Sequence, residues 1–272
     1  MGNCEIMVFA PHPDDEALGC AGLIYKALQR KKKVKVVVIA NGESSVDGTE
    51  WFYGRKPTTQ DFINIGYVRQ KETISAMKIL GLESDDVIFL GYPNDGLMEI
   101  ISSDIYTKDN PFRSEFTNFE RVSYENSRSV GATFCKESLK SDIKDILEEG
   151  KPRYVYVTHP MDSHFDHRAC GKYIPSISKE FDKSINILSY FISKSKIPSP
   201  KRRFIYKCTG QLREKYLDKT SRKFKEQCIN QYKSQSYLFD QLAFHYEVER
   251  FWKLEHGFRI KIAKKFIPNL RY

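Results

Sequence analysis

Two short runs of the chain carry apolar side chains in almost unbroken succession: Ile6-Met7-Val8-Phe9-Ala10, and residues 34–40, where Lys35 alone interrupts a β-branched series. A strand with one solvated face alternates polar and apolar residues; a strand that does not alternate is covered on both faces. Buried strands of this kind belong to parallel sheets, whose crossover connections lay helices on each side. The intervening residues meet that requirement, because Leu18, Ala21, Ile24, Tyr25 and Leu28 fall on one side of a helix over 17–28. The rhythm continues with a helix over 65–80 stopped at Gly81, a strand over 87–90, a helix over 138–147, a strand over 154–158, a helix over 169–181 and a strand over 185–192. The expected class is α/β, with a doubly wound, mainly parallel, Rossmann-like sheet.

Two stretches depart from this rhythm. Residues 93–131 are long, polar and poorly periodic, which predicts a loop that shapes a site. Beyond residue 199 the composition turns basic and aromatic, with helices expected over 225–238 and 244–254. A chain of 272 residues then reads as one domain, a core over 1–198 carrying a C-terminal helical appendage over 199–272.

Composition removes several classes. No apolar run approaches the roughly 18 residues of a membrane span. Glu5 interrupts the start where a secretory signal would be apolar. Gly2 lacks the hydroxyl residue that myristoylation expects four positions on, since Ile6 stands there. Six cysteines without a CxxC pair read as reduced core thiols of a cytoplasmic protein and give no thiolate zinc site. The formal charge of +9 includes runs at Arg30-Lys31-Lys32-Lys33 and Lys201-Arg202-Arg203. Such runs are solvated faces first, or attract a phosphorylated or nucleotide-linked substrate or anionic headgroups. No nucleic-acid-binding module is present, so no nucleic-acid partner is expected.

In doubly wound sheets the ligand crevice lies beyond the carboxyl ends of the strands, and two polar clusters follow strands directly. The first is His12-Pro13-Asp14-Asp15-Glu16. At a strand-to-helix junction His12 and Asp15 can turn toward one point, and imidazole nitrogen with carboxylate oxygen suits zinc. Asp14, between them, points elsewhere; a carboxylate beside a metal but not on it can take a proton from water. The blander reading is a good helix start, with proline in the first turn and acids against the dipole. The second cluster puts four imidazole or carboxylate residues into 162–167, and three of the six histidines, His159, His164 and His167, into nine residues. A solvated loop does not need that density. A catalytic zinc takes three protein ligands and keeps one position open; His12, Asp15 and one histidine of the second cluster meet that count.

Pro11-His12-Pro13-Asp14-Asp15-Glu16 after the first strand and His164-Phe165-Asp166-His167 after the fourth carry a resemblance. Supporting pieces are Arg69-Gln70-Lys71-Glu72 ahead of Leu80-Gly81, Phe89-Leu90-Gly91-Tyr92-Pro93 with Asp95-Gly96, and Tyr232-Lys233-Ser234-Gln235. Over most of residues 5–235 the chain resembles the PIG-L/LmbE family of N-acetylglucosamine deacetylases. The resemblance implies that His12, Asp15 and His167 hold one Zn2+ ion, and that Asp14 is the general base. It implies that a protonated His164 stabilises the oxyanion or donates a proton, and that Asp166 orients a histidine from behind. Arg69 and Asp95 would contact the sugar. Tyr232 and Gln235 are further candidates, beside their reading as ordinary helix residues. The implied substrate is a small-molecule or conjugated amino sugar, phosphate-bearing ones included, which loses its N-acetyl group as acetate. Phe165 stands where proline is frequent in the family. Two other readings account for less. A sugar-nucleotide glycosyltransferase with metal-held carboxylates uses Asp14 and Asp15 but leaves His164 and His167 idle. A non-catalytic sugar-binding relative leaves the base and the acid without a purpose.

Overall fold

The computed structural model describes residues 3–192, 210–238 and 248–254. Strands β1 (Ile6–Ala10), β2 (Val34–Ala40), β3 (Val87–Tyr92), β4 (Tyr154–Thr158) and β5 (Asn186–Tyr190) pair in parallel in the order 3-2-1-4-5. Helices α1 (Asp15–Gln29), α2 (Val46–Tyr53), α3 (Thr59–Leu80), α4 (Leu97–Ser102), α5 (Lys136–Gly150) and α6 (Phe165–Phe181) connect them. Alternate residues of the same strand feed opposite cores, because successive strand side chains face opposite ways. Val8, Val36 and Val38 pack with Leu18, Ile24 and Met77 on one face. Met7, Phe9, Val37 and Ile39 pack with Ile143, Ile146, Ile174 and Ile177 on the other. The unbroken apolarity of β1 and β2 thus reflects two covered faces. The doubly wound sheet is as expected.

The chain order reverses between β1 and β4, which pair Ile6 with Tyr154 and Val8 with Tyr156. That reversal opens the crevice in which such sheets hold ligands. The first polar cluster leaves the carboxyl end of β1 and the second leaves that of β4, so the topology brings them to one place.

The C-terminal part differs from the expected appendage. A strand β6 (Gly210–Tyr216) and a strand β7 (Val248–Leu254) extend the sheet to seven strands, β7 lying antiparallel to both β5 and β6. The expected helix over 244–254 is therefore β7 over its described residues. The expected helix over 225–238 is two pieces, α7 (Lys219–Ile229) and a 3-10 segment Lys233–Leu238. The inward side of β7 carries the acid Glu249 as well as Phe251, and Glu249 breaks the apolar alternation that marks a strand. Its carboxylate accepts Gly22 N–H at 2.7 Å and Leu23 N–H at 2.8 Å, and pairs at 2.9 Å with Lys225, itself fully buried. Lys225 also donates to the Leu18 carbonyl at 2.8 Å. Both ends of one turn of α1 are thereby tied to α7 and β7.

Within 93–131 the chain forms α4 and otherwise runs irregularly, with single bridges at Phe89–Ser127 and Arg121–Thr133. Helix α3 begins six residues ahead of the expected start, on a capping box in which Thr58 and Asp61 hold each other's backbone. Cys4, Cys20, Cys135, Cys170 and Cys228 are buried free thiols. Cys208 and the Lys201-Arg202-Arg203 run lie outside the described residues. Among the described residues no helix is long and apolar enough to cross a membrane.

Candidate active site

Just past β1 the backbone turns sharply. Asp14 has φ 104°, a left-handed conformation that costs a non-glycine residue about 1–3 kcal/mol and persists only where its surroundings impose it. Three groups do so. Arg69 Nη2 donates to the Pro13 carbonyl and lies 3.2 Å from Asp14 Oδ2. Arg69 Nη1 donates to the Gly42 carbonyl at 2.9 Å. The Asp14 N–H donates to Glu16 Oε2 at 3.2 Å. Gly42 has φ 70°, and a Cβ there would sit 2.1 Å from Arg69 Nη1, so only glycine admits the guanidinium. Glu16 is fully buried and accepts the Tyr232 hydroxyl. Burial pushes its carboxyl up to about 8, so it is neutral at pH 7.

The turn sends Asp14 and Asp15 in different directions. Asp15 Oδ2 accepts the His12 N–H at 3.0 Å and lies 3.3 Å from His12 Nδ1 and 3.1 Å from His167 Nε2. His12 Nδ1 and His167 Nε2 are 3.2 Å apart. Three ligand-type atoms from the ends of β1 and β4 thus form a nearly equilateral triangle. A tetrahedral zinc about 2.0–2.2 Å from its ligands spans edges of roughly 3.3–3.6 Å, so one face of that tetrahedron fits with shifts of a few tenths of an ångström.

Each histidine of the triangle is backed by a buried carboxylate. His12 Nε2 lies 3.2 Å from Asp166 Oδ2, which also accepts the Asp95 N–H at 2.7 Å. His167 Nδ1 lies 3.3 Å from Asp162 Oδ1, and Asp162 accepts the N–H groups of His164 and Ile192. Such carboxylates fix which ring nitrogen faces the metal and raise its basicity. Asp162 is the residue that sequence reasoning did not single out, although it opens the dense 162–167 segment.

The electrostatics agree with the geometry. Burial alone would lower His12 and His167, but the carboxylates overcome it, raising His12 to about 9 and His167 far above its ordinary value. Burial alone would raise Asp15, Asp162 and Asp166, and the imidazolium charges instead hold all three low. Two protons on the histidines offset two of the three carboxylate charges here, as one divalent cation with neutral imidazoles would. Asp14 goes the other way: burial outweighs the Arg69 charge and lifts its carboxyl to about 7, a suitable value for a base at neutral pH.

His164 offers another ring to the same space, its centroid 4.8 Å from that of His12 and 4.7 Å from that of His167. The ligand atoms of His12, His164 and His167 lie within 4.8 Å of one another, a wider set than the triangle. His164 caps α6, its Nδ1 accepting the Asp166 N–H at 3.2 Å. That bond leaves the proton on Nε2, which faces Asp95 Oδ1 at 3.5 Å. Burial and the neighbouring imidazoles push His164 down to about 4, and in its neutral form it can still donate through Nε2.

The other expected residues fall in two groups. Asp95 stands at the rim, half-exposed, its carboxylate accepting the Ser44 hydroxyl. Arg69 is only 4% exposed, and its guanidinium is turned to Pro13, Asp14 and Gly42 as described. Tyr232 and Gln235 are buried. Tyr232 donates to Glu16, and its neighbour Ser234 gives its N–H and hydroxyl to Glu72 of α3 at 2.8 and 2.6 Å. The weaker sequence pieces thus anchor one another behind the site. His159 lies apart, stacked on Phe191 at 4.2 Å.

The profile described as PIG-L, GlcNAc-PI de-N-acetylase, matches residues 7–178, well over half of the chain and both polar clusters. The chain belongs to the PIG-L family. Over 171 residues, 62% of this PIG-L chain, it is 26% identical to the probable N-acetyl-alpha-D-glucosaminyl L-malate deacetylase 2 of Bacillus subtilis (strain 168). The match spans 58% of the length of that curated relative. Among solved structures, a deacetylase triple mutant of the teicoplanin biosynthetic pathway aligns with TM-score 0.59 at 17% identity, covering 93% of this chain and 98% of that one. The 4-carboxy-2-hydroxymuconate hydratase GalB from Pseudomonas putida aligns with TM-score 0.57 at 13% identity, covering 90% and 84%. A hydratase and a deacetylase share this PIG-L architecture, so the fold alone does not name the reaction.

Proposed function

We propose that this chain is a zinc-dependent hydrolase that removes the N-acetyl group from an N-acetylglucosamine-type amino sugar or its conjugate and releases acetate. The observation that carries the reading is the triangle of His12 Nδ1, Asp15 Oδ2 and His167 Nε2, backed by Asp166 and Asp162, with Asp14 held beside it and off it. The Bacillus subtilis relative, named as a deacetylase of an N-acetylglucosaminyl conjugate, supports the substrate class.

His12, Asp15 and His167 would hold the ion. Zinc, when bound there, supplies Lewis acidity, easing ionisation of water and polarising the acetamide carbonyl. Asp14 accepts a proton from the water that attacks the carbonyl carbon. Arg69 and the left-handed turn keep that carboxylate aimed and prevent it from joining the ligands. His164 donates its Nε2–H to the carbonyl oxygen as negative charge develops there. The carbon–nitrogen bond then breaks, the proton held by Asp14 passes to the leaving nitrogen, and acetate and a free amino sugar result. Five buried free thiols among the described residues support a reducing, cytoplasmic compartment.

The test is a panel of N-acetylated sugars and their conjugates incubated with zinc-loaded protein and scored for acetate and free amine. Stoichiometric release from at least one N-acetylglucosamine conjugate, abolished by a chelator and restored by zinc, is expected. Fully zinc-loaded protein that releases acetate from none of them overturns the reading.

A further inference from the structure

Helix α2 follows the carboxyl end of β2 and presents Trp51 at 50% exposure. A half-exposed indole offers an apolar ring face on which another ring can stack. Trp51 is also oriented. Its ring stacks on Tyr237, with centroids 5.9 Å apart and planes at 29°. Tyr237 OH lies 3.4 Å from Ser45 Oγ. Gly48 underlies the pair, since a Cβ there would meet Tyr237 OH at 3.1 Å and Gln235 Nε2 at 3.2 Å.

This aromatic shelf is continuous with the wall of the active site. His164 Nε2 faces Asp95 Oδ1 at 3.5 Å, and the other Asp95 oxygen accepts the hydroxyl of Ser44. The next residue, Ser45, meets Tyr237, which carries Trp51. Every step is a hydrogen-bond-range, chain or ring contact. A substrate that continues along this wall past His164 and Asp95 would come to Ser45, Tyr237 and Trp51 in turn.

The chemistry around the ring selects the occupant. Asp47 is exposed one helical turn before Trp51 and so on its face, and Glu50 is exposed beside it. The exposed cations that follow are Arg55, which pairs with Asp61, and Lys56; acids placed within the helix beside the ring disfavour anionic headgroups there despite the net charge of +9. Hydroxyl and amine groups suit this acidic border, because carboxylates accept from both. An apolar ring face bordered by Asp47, Ser45 Oγ and Tyr237 OH matches a pyranose, with its C–H face and rim of hydroxyls. We propose that Trp51 and Tyr237 form a second sugar subsite, so that the substrate is a glycan of at least two rings whose N-acetylated ring sits at the triangle. The assignment rests on the deacetylase reading.

The chain has two tryptophans, and Trp252 is only 5% exposed, which makes Trp51 a built-in reporter. The probes are N-acetylglucosamine and its β1,4-linked N,N'-diacetylated disaccharide, titrated into zinc-loaded full-length protein. The disaccharide should change the tryptophan fluorescence saturably, and the change should vanish in Trp51→Phe but persist in Trp252→Phe. Trp51→Ala should raise KM for the disaccharide about three- to tenfold more than KM for the monosaccharide, and Trp51→Phe should recover most of that difference. Turnover of both sugars with no disaccharide-specific fluorescence change, or an equal KM effect of Trp51→Ala on both, overturns the subsite and leaves the deacetylase reading standing. Saturable disaccharide binding at Trp51 without acetate release from any sugar supports the subsite while the deacetylase reading fails.

Discussion

Arg69 lies 3.2 Å from Asp14 Oδ2 while the same nitrogen donates to the Pro13 carbonyl. One guanidinium therefore sets both the backbone turn before Asp14 and the direction of its carboxylate. If Arg69 bound the sugar, losing it would raise KM first. Its geometry predicts the opposite: Arg69→Met should lower kcat by roughly 100-fold, the scale of a misplaced general base, with a smaller change in KM. Arg69 also holds the Asp14 carboxyl down against burial. Without it that carboxyl rises, so the acid limb of kcat/KM should move to higher pH by about 1–3 units. A variant with raised KM and an unmoved pH profile would return Arg69 to the substrate.

Asp14 and Asp15 are neighbours in sequence whose carboxylates diverge, one toward Arg69 and one toward His12 and His167, and substitution should separate their proposed roles. Asp14→Asn should bind zinc at the parent stoichiometry and turn over about 100-fold or more slowly. Asp15→Asn should lose the metal itself, since it removes the charged corner of the triangle. Elemental analysis of the two purified variants checks both. Metal loss in Asp14→Asn would make Asp14 a ligand.

Asp162 Oδ1 faces His167 Nδ1 at 3.3 Å and would act on a bound ion through that ring. Replacing such a carboxylate typically costs about 10–100-fold in metal affinity. Asp162→Asn should weaken zinc binding by that factor in a competition titration, and Asp162→Glu should recover part of it. Unchanged affinity in Asp162→Asn would mean that Asp162 does not tune His167 and serves the N–H groups of Ile192 and His164 instead.

Much of this site was legible before any coordinates. The unbroken apolarity of 6–10 and 34–40 implies two covered faces, and covered faces imply a crevice at the carboxyl ends where both polar clusters emerge. Roles that depend on direction were not legible. Spacing shows that Asp14 and Asp15 diverge, but not that Arg69 turns inward to hold one of them. Asp162 reads as one more polar loop residue until its ring partner is known. The two C-terminal strands were hidden for a different reason. At β7 the buried position beside Phe251 is filled by Glu249, whose partner Lys225 is 24 residues away in sequence, and a local pattern cannot show a charge neutralised at that range.

That buried pair supplies a stability test away from the chemistry. Removing one member of a buried ion pair strands the other charge and costs about 3–5 kcal/mol. Lys225→Met should lower stability by that amount in urea titrations, since among the described residues Glu249 would keep the Gly22 and Leu23 N–H groups but lose its cation. Combining it with Glu249→Gln should recover part of the loss by removing the stranded charge. A Lys225→Met protein with the parent midpoint would show that the pair contributes nothing to the attachment of α7 and β7.

His159 gives the pH dependence of stability a local source. It is fully buried, its Nδ1 accepts the Met161 N–H at 3.1 Å, and Phe191 and Trp252 enclose its ring. Burial pushes it down from 6.5 to about 3. The unfolded chain therefore takes up a proton at this residue below about pH 6.5, whereas the folded chain does not until about pH 3. Protons bound only by the unfolded state favour it, so this contribution is complete above pH 6.5 and is lost progressively as the pH falls toward 3. His159→Phe keeps a ring against Phe191 and removes the titration. At pH 7 it should be less stable by about 1–3 kcal/mol, because the Met161 N–H loses its acceptor. Between pH 6.5 and 4 its stability should fall less steeply than that of the parent, the other titrating groups being common to both. Urea titrations of the two proteins across that range measure the difference in slope, and equal slopes would mean that His159 is not held neutral by the fold.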